Sequence, residues 1–462
     1  MSRTSPNTEP ERRSAGLSGL MRPVNSVVER YIPSALVFAV VLTFVVALLA
    51  LLLTDVGVGG LITGWGDGLS GLLAFMTQMA LILLLGHTLA NTGPVRRLLA
   101  RLGGVPRSTV QAYVFVFVVA SLASLITWGL GLVVGALLAK EVAAQGREKG
   151  LRLHFPLLVA AGYSGYVIWH MGYSGSGPLT AATEGSFLAE QLGRTIPVTE
   201  TVFTWWNLTA AAVTIVVVAA ALALAAPKRD EAVVELHFDA RGTDAVDLDD
   251  EVVTPADRVD ASRVLTLLVG LALVAYLVLH YAQGGTATLD IVNWTFLALI
   301  FLLVRNPFEL VALVRNAAAN VGEILLQFPL YAGIMGIMSA SGLITVFSDA
   351  VVGISGPASF GVLAFLAAGL VNFFVPSGGG QFAVQGPVFL DAAQQLGVDP
   401  SVAIMAIAYG DQWTNMVQPF WALPVLAIAG LKMRDILGYT TVTLIASGVV
   451  FATTLLLLGL AA

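Results

Sequence analysis

Apolar residues run along this chain in long blocks with few interruptions. Blocks near the roughly 20 residues a helix needs to cross about 30 Å of hydrocarbon lie at 35–53, 69–91, 155–182, 202–226, 264–281, 291–304, 317–340, 402–429 and 436–460. They predict nine membrane-spanning helices. Two further blocks, 108–139 and 359–390, hold about 32 residues each, too long for one crossing and short for two with a turn. The first is interrupted at Thr127-Trp128-Gly129, the second at Asn372 and at Pro376-Ser377-Gly378-Gly379-Gly380-Gln381. Each is expected to be a re-entrant hairpin.

Composition removes the soluble alternatives. Hydrophobic residues make up 57% and charged residues 11%, against about 45–50% and 25% in ordinary globular chains. The few charges cluster, with 8 in residues 1–30 and 16 in residues 227–263. The expected organisation is therefore a cytoplasmic tail (1–30), a first transport half (31–226), an acidic cytoplasmic linker (227–263) and a second transport half (264–462). The run at 35–53 lacks a small-residue cleavage site, so it is expected to stay as the first span. Zero cysteine excludes disulfides, thiol catalysis and Cys-ligated metal. A net charge of −6 leaves no basic face for nucleic acid.

Lys and Arg in short loops mark the cytoplasmic side. Arg3, Arg12, Arg13 and Arg22 precede the first span, and the 53–69 connection carries Asp55 and Asp67 but no Lys or Arg. The next connection carries Arg96, Arg97, Arg101 and Arg107, and beyond the first hairpin come Lys140, Arg147, Lys149 and Arg152. The N-terminus is thus expected inside, with both ends of the first hairpin on the same face. Residues 316–431 contain no Lys or Arg, while Asp349, Asp391 and Asp399 flank the second hairpin. That hairpin is expected to enter from the opposite face.

Residue order repeats between the halves. Gln78, Thr127, Tyr163 and Pro178 correspond to Gln327, Asn372, Tyr409 and Pro424, with separations of 49, 36 and 15 against 45, 37 and 15. With opposite orientation, this is the pattern of an inverted-topology repeat, in which broken helices meet near the bilayer midplane around a transport site. The expected fold is an all-α polytopic membrane protein of this kind.

The breaks hold the candidate chemistry, because backbone that leaves the helix inside a bilayer must be buried in protein or line a wet cavity. The Ser377-Gly378-Gly379-Gly380 tip offers successive N–H groups at the start of a helix, an arrangement suited to an anion. Three glycines also suit a plain tight turn. Ser174 and Ser176 flank a glycine-rich break in the first half, where close helix packing is the competing explanation. Asp411, with Gln412, Asn415 and Gln418, lies in an apolar span, where an ionisable group is costly and by default functional; a paired structural acid is the alternative. Glu323 is nearer a span end and ranks lower. His170 is placed for a protonation role, whereas His87 suits a simple bond to a neighbouring carbonyl. No metalloprotease pair, nucleophile elbow or Walker loop is present, so no enzyme is expected.

The strings Trp65-Gly66-Asp67-Gly68, Gln78-Met79-Ala80-Leu81, Trp128-Gly129-Leu130-Gly131-Leu132-Val133-Val134-Gly135-Ala136, Val375-Pro376-Ser377-Gly378-Gly379-Gly380, Met405-Ala406-Ile407-Ala408-Tyr409-Gly410 and Gln418-Pro419-Phe420-Trp421-Ala422-Leu423-Pro424 resemble the short-chain fatty acid transporter family. This is the AtoE type, associated with acetoacetate and butyrate uptake, within the ion-transporter superfamily. The likeness runs from about Arg30 to the C-terminus. It implies paired hairpins in a mobile transport domain, elevator-like motion and, often, a homodimer. Two positions depart: Thr127 stands where members often carry Asn, and His170 where they tend to carry glycine.

Together these features predict a secondary carrier of small monocarboxylates in the cell inner membrane. The carboxylate would be held at Ser377, Gly378, Gly379 and Gly380. Asn372, Gln381 and Thr127 would donate to it, Trp128 and Phe373 would flank the tail, and Gly129, Ser174 and Ser176 are further substrate-binding candidates. With no Lys or Arg in the second-half core, a co-transported H⁺ or Na⁺ is expected, with Asp411, Asn415 and His170 as coupling residues and H⁺ preferred. No resident cofactor or metal is expected. A carrier of another organic anion such as a dicarboxylate, and a passive anion channel, are the alternatives.

Overall fold

The computed structural model describes residues 35–227, 233–236, 254–319, 321–372 and 377–461. The N-terminal tail, most of the acidic linker and residues 373–376, including Phe373, lie outside the described residues, as does the side chain of Glu323. Every regular element described is a helix. In the first half these are α1 (Ala35–Leu53), α2 (Val58–Gly68), α3 (Leu73–Ala90), α4 (Gly93–Gly103), α5 (Thr109–Ile126), α6 (Trp128–Glu148), α7 (Phe155–Ser164), α8 (Ser176–Ala182), α9 (Phe187–Leu192) and α10 (Trp205–Leu224). After α11 (Pro255–Asp260) the second half has α12 (Arg263–Ala282), α13 (Leu289–Leu303), α14 (Pro307–Ala318), α15 (Gly322–Ser341), α16 (Leu343–Ile354), α17 (Pro357–Asn372), α18 (Gly378–Leu396), α19 (Pro400–Thr414), α20 (Pro419–Ala429) and α21 (Met433–Ala461).

Among the described residues seven helices, α3, α5, α6, α10, α12, α15 and α21, are long and apolar enough to cross a membrane. Their outer faces are apolar too. Phe44 on α1, Leu224 on α10, Leu268 on α12 and Leu457 on α21 are all more than half exposed, which is the expected surface of a helix solvated by lipid rather than water.

Two of the expected spans are not continuous. Residues 155–182 divide into α7, a 3₁₀ segment Gly165–Met171 and α8, and residues 402–429 into α19, a 3₁₀ segment Asn415–Val417 and α20. The second break precedes Pro419, a residue without the N–H that would continue a helix. The expected loop at 53–69 contains α2, whose Gly64 and Gly68 pack against the α15 backbone at Ala332 and Gly336.

Around Thr127 the chain folds back as a helical hairpin. Thr109 Oγ1 at the start of α5 donates to the Arg152 carbonyl beyond α6 at 3.3 Å, and Lys149 Nζ donates to the Gly104 and Pro106 carbonyls. The second arm runs past the expected end at residue 139 to Glu148, because the polar run after Lys140 stays helical and docks on α4, Gln145 Nε2 donating to the Ala100 carbonyl at 2.7 Å. Arms α17 and α18 fold back similarly, with Phe360 and Phe389 in edge contact at 6.2 Å; α18 continues past residue 390 to Leu396, where Gly397 takes a φ of 70°.

The two hairpins have their bases at opposite ends of the molecule. Helix α21, about 43 Å long at 1.5 Å per residue, supplies the ruler. Near its start Tyr439 meets His154 at 5.7 Å, beside the first hairpin's base, where His154 N donates to Tyr113 Oη at 2.8 Å. Near its end Gly459 packs on the Ala358 carbonyl at the second hairpin's base. The described linker residues 233–236 also dock at the first of these ends: Phe155 N donates to the Val234 carbonyl and Val234 N to His154 Nδ1 at 3.0 Å.

Candidate functional site

The two hairpin tips meet the two broken helices in the interior. At the first tip Thr127 is extended, and Trp128 opens α6. Its ring lies 5.2 Å from Trp421 and 6.2 Å from Trp169, and Gly129 rests against the Gly86–His87 backbone. At the second tip Ser377 caps α18, its side chain accepting from Gly380 N at 3.2 Å. Gly378 sits so close to the first half that a methyl group added there would stand 2.7 Å from Trp169 and 3.0 Å from His170 Nε2. Trp169 and His170 are therefore the meeting point of both tips.

Asp411 approaches the same point from α19. His170 Nε2 stands 3.6 Å from Asp411 Oδ1, both side chains being wholly buried. The His170 main-chain N–H donates to Gln412 Oε1 at 3.0 Å, which ties the first-half break to α19. Asn415 Nδ2 donates to Asp411 Oδ1 at 3.2 Å. Asn372 Nδ2, at the end of α17, donates to the Asp411 carbonyl, Thr414 Oγ1 and Asn415 Oδ1 at 2.9, 3.0 and 2.6 Å. Gln381 Nε2 donates to the Ala368 carbonyl and to Gln385 Oε1. The amide nitrogens of Asn372 and Gln381, expected to face substrate, are thus spent within the protein in this conformation. Their oxygens, Asn372 Oδ1 and Gln381 Oε1, are buried without a protein partner.

Buried polar groups are normally paired, so unpaired ones mark a place made for something else. Thr127 Oγ1, Trp128 Nε1, Trp169 Nε1, both ring nitrogens of His170, Asp411 Oδ2 and Gln412 Nε2 have no hydrogen-bond partner in the protein, and the same holds for Ser174 Oγ and Ser176 Oγ. The serines join the group through their neighbours, since Gly175 abuts the His170 carbonyl and Gly177 abuts Phe382, itself 5.9 Å from His170. Gly379 and Gly380 pack on Phe75, Phe328 and Tyr331, leaving the tip no slack for a side chain. Every expected site residue that is described is therefore in this one region.

Tyr166 and Trp421 belong to it as well, and sequence reasoning gave them no role. Tyr163, Tyr166 and Trp169 form a continuous stack, at 6.2 Å and 22° and then 5.5 Å and 4°. A 3₁₀ helix has three residues per turn, so side chains at i and i+3 eclipse. Three aromatics at period three were the available signal. The breaks also grip one another reciprocally. Tyr163 Oη donates to the Asn415 carbonyl at 2.6 Å; Tyr409 Oη donates to Asn207 Oδ1 at 2.8 Å, and Asn207 Nδ2 to the Met171 carbonyl at 3.1 Å. A separate apolar cavity of about 380 Å³ lies between α10 and α21, lined by Trp205, Trp206, Val449 and Leu457. It contains none of these groups.

A family model described as short chain fatty acid transporter matches residues 17–458. The chain belongs to this family. Two proteins provisionally named short-chain fatty acid transporters are similar to it along nearly their whole length. That of Escherichia coli (strain K12) is 40% identical over 94% of this chain and 98% of its own. That of Haemophilus influenzae (strain ATCC 51907 / DSM 11121 / KW20 / Rd) is 37% identical over 94% and 98%. Among solved structures, the YdaH transporter of Alcanivorax borkumensis matches with a TM-score of 0.55 at 17% identity, covering 91% of this chain and 98% of that one; that likeness concerns the fold. Membership of the short-chain fatty acid transporter family makes this a polytopic membrane transporter and not an enzyme.

Proposed function

We propose that the protein takes up short-chain fatty acids such as butyrate and acetoacetate across the inner membrane by cation symport. The observation that carries this is the convergence of two helix starts, at Trp128 and Gly378, on unpartnered buried donors in a region without Lys or Arg. First-turn N–H groups have no carbonyl partner within their own helix and carry partial positive charge. The indole nitrogens of Trp128 and Trp169 can only donate. A carboxylate fits this set, with its tail against the rings of Trp128, Trp421 and Tyr166. Asn372 and Gln381 would offer oxygens until a rearrangement frees their NH₂ groups, and Phe373 remains a proposed tail contact. Asp411, Asn415 and His170 are the proposed coupling residues for H⁺ or Na⁺.

The opposed hairpin bases and the reciprocal tyrosine bonds support an inverted-topology repeat with re-entrant hairpins, and the basic connections around 96–107 and 140–152 support a cytoplasmic N-terminus. The same bases and bonds also support an elevator-like displacement of the joined tips, for which a homodimer is the proposed frame. A single buried carboxylate site favours monocarboxylates over succinate. The test is uptake of labelled butyrate into proteoliposomes, with competition by C2 to C6 acids. Saturable uptake driven by a cation gradient is expected, with succinate competing at least tenfold more weakly than butyrate. Competition by succinate as strong as butyrate's would favour another organic anion, and uptake that neither saturates nor accumulates would mark a passive channel.

A further inference from the structure

Resting on that carrier reading, we propose that His170 and Asp411 form the proton-carrying pair, and that one proton travels with each carboxylate so that loaded and empty carriers are both electrically neutral.

Tyrosines aside, the buried ionisable side chains among the described residues are His170, Asp411 and Glu309, and Glu309 pairs with Arg305 at 3.5 Å. The elements packed around the His170–Asp411 pair hold their charges far from it. On α6, Lys140 is twelve residues past Trp128, about 18 Å along the helix; on α18, Asp391 is thirteen past Gly378, about 20 Å. On α21, Arg434 and Asp435 lie eight or more residues before Thr443, which meets Ser164 at 2.7 Å. Glu190 on α9 is exposed. Helices α5, α8, α10, α17 and α20 carry no Lys, Arg, Asp or Glu. The facing tyrosines, Tyr166, Tyr163 and Tyr409, are neutral phenols, and His87 sits beyond the Gly86–Gly129 contact.

A lone carboxylate or imidazolium sealed at this depth is strongly disfavoured, whereas the two together sharing one proton are neutral. That is the empty site. A monocarboxylate arriving at Gly378, beside His170 Nε2, adds one negative charge that no Lys or Arg cancels. Sealing the site then requires one further proton, leaving an imidazolium facing the substrate and Asp411 as a neutral acid. On the other side the substrate leaves with that proton, and the pair keeps the first for the return. One proton and one carboxylate enter, the same two leave, and no net charge crosses.

Sodium would balance the charge equally but needs a shell of oxygens. The hydrogen bond on the Asp411 carboxylate comes from a donor, Asn415 Nδ2, and the His170 ring nitrogen stands 3.6 Å from the same carboxylate. This surrounding suits a proton that moves between nitrogen and oxygen.

The test measures saturable initial butyrate uptake into proteoliposomes, corrected for protein-free vesicles, with pH and potential set independently. Lowering external pH from 7.5 to 6.5 against an interior of 7.5 should raise uptake several-fold. An imposed potential of about 120 mV of either sign should change it less than 1.5-fold, and replacing Na⁺ should leave it unchanged. His170→Gln should lose both the acceleration by acid and butyrate–butyrate exchange, because the loaded site then keeps one uncancelled negative charge, while an unchanged elution volume and detergent Tm report a folded protein. Uptake that follows the potential, requires Na⁺, or stays acid-accelerated in His170→Gln overturns the pairing alone. Absence of saturable uptake and exchange in the unaltered protein overturns the carrier reading, and this inference with it.

Discussion

At the residue scale, the site is governed by how little room and how few spare donors each group has. A leucine at Gly379 must displace Phe75, since even its Cβ would lie 2.7 Å from the ring, with Phe328 at 3.2 Å. Gly379→Leu is therefore expected to lower uptake at least tenfold with membrane insertion intact; unchanged uptake would reduce the tip to a turn. Asn372 offers a stability test. The two hydrogens of its amide are shared among three acceptors, of which Asn415 Oδ1 would be left unpaired without Asn372, and an orphaned buried acceptor costs about 1–3 kcal/mol. Asn372→Ala is expected to lower the detergent Tm by several degrees; a Tm within one degree would show that water replaces the amide freely. Gly378, Asn372 and Asp411 were legible in the sequence because polar or glycine residues stand out in an apolar run. The direction of each amide was not, since local sequence does not say which acceptors will be near.

At the element scale, backbone proximity and a docked linker decide the outcome. Helices α6 and α7 cross at Gly135 and Gly162, where a Cβ on either would stand 2.5 Å from the other's carbonyl oxygen. Small residues allow such approach between membrane helices. Gly135→Leu should push α7, and with it the Tyr166–Trp169 stack, away from the first hairpin, abolishing uptake and lowering the yield of folded protein; a variant with normal uptake would show the crossing to be dispensable. Outside the spans, burial holds His154 below its ordinary value of 6.5, and its Nδ1 accepts from Val234 N. A histidine with a lowered folded value contributes fully above pH 6.5. The contribution is lost as pH falls from 6.5 toward that lower value, because the unfolded or undocked form then binds the proton more readily. Protection of the Val234 amide from hydrogen exchange, taken relative to the intrinsic exchange rate, is expected to fall below pH 6.5 in the unaltered protein and to be insensitive to pH in His154→Gln.

At the scale of the whole molecule, the two hairpin bases face opposite ways. The chain has no native cysteine, so single cysteines report sidedness cleanly. Glu148→Cys, at the first hairpin's base, and Gly353→Cys, on α16 beside the second, are both exposed positions. A membrane-impermeant maleimide should label the first from the cytoplasmic side and the second from outside. Labelling of both from one side would contradict the opposed arrangement and remove the geometric basis of the transport site.

The sequence alone determined the solvent in which this protein folds, the apolar blocks that become its helices and the glycine-rich or polar breaks within them. Those features are local: hydropathy, proline and glycine act on the few residues around them. Tertiary structure decided that the breaks at residues 165–176 and 415–418 grip one another, that Trp169 and His170 receive both tips, and that His170 faces Asp411 across 241 positions of chain. Contacts of that span depend on how helices pack, and a run of uniformly apolar residues carries almost no record of which of its faces will meet which neighbour.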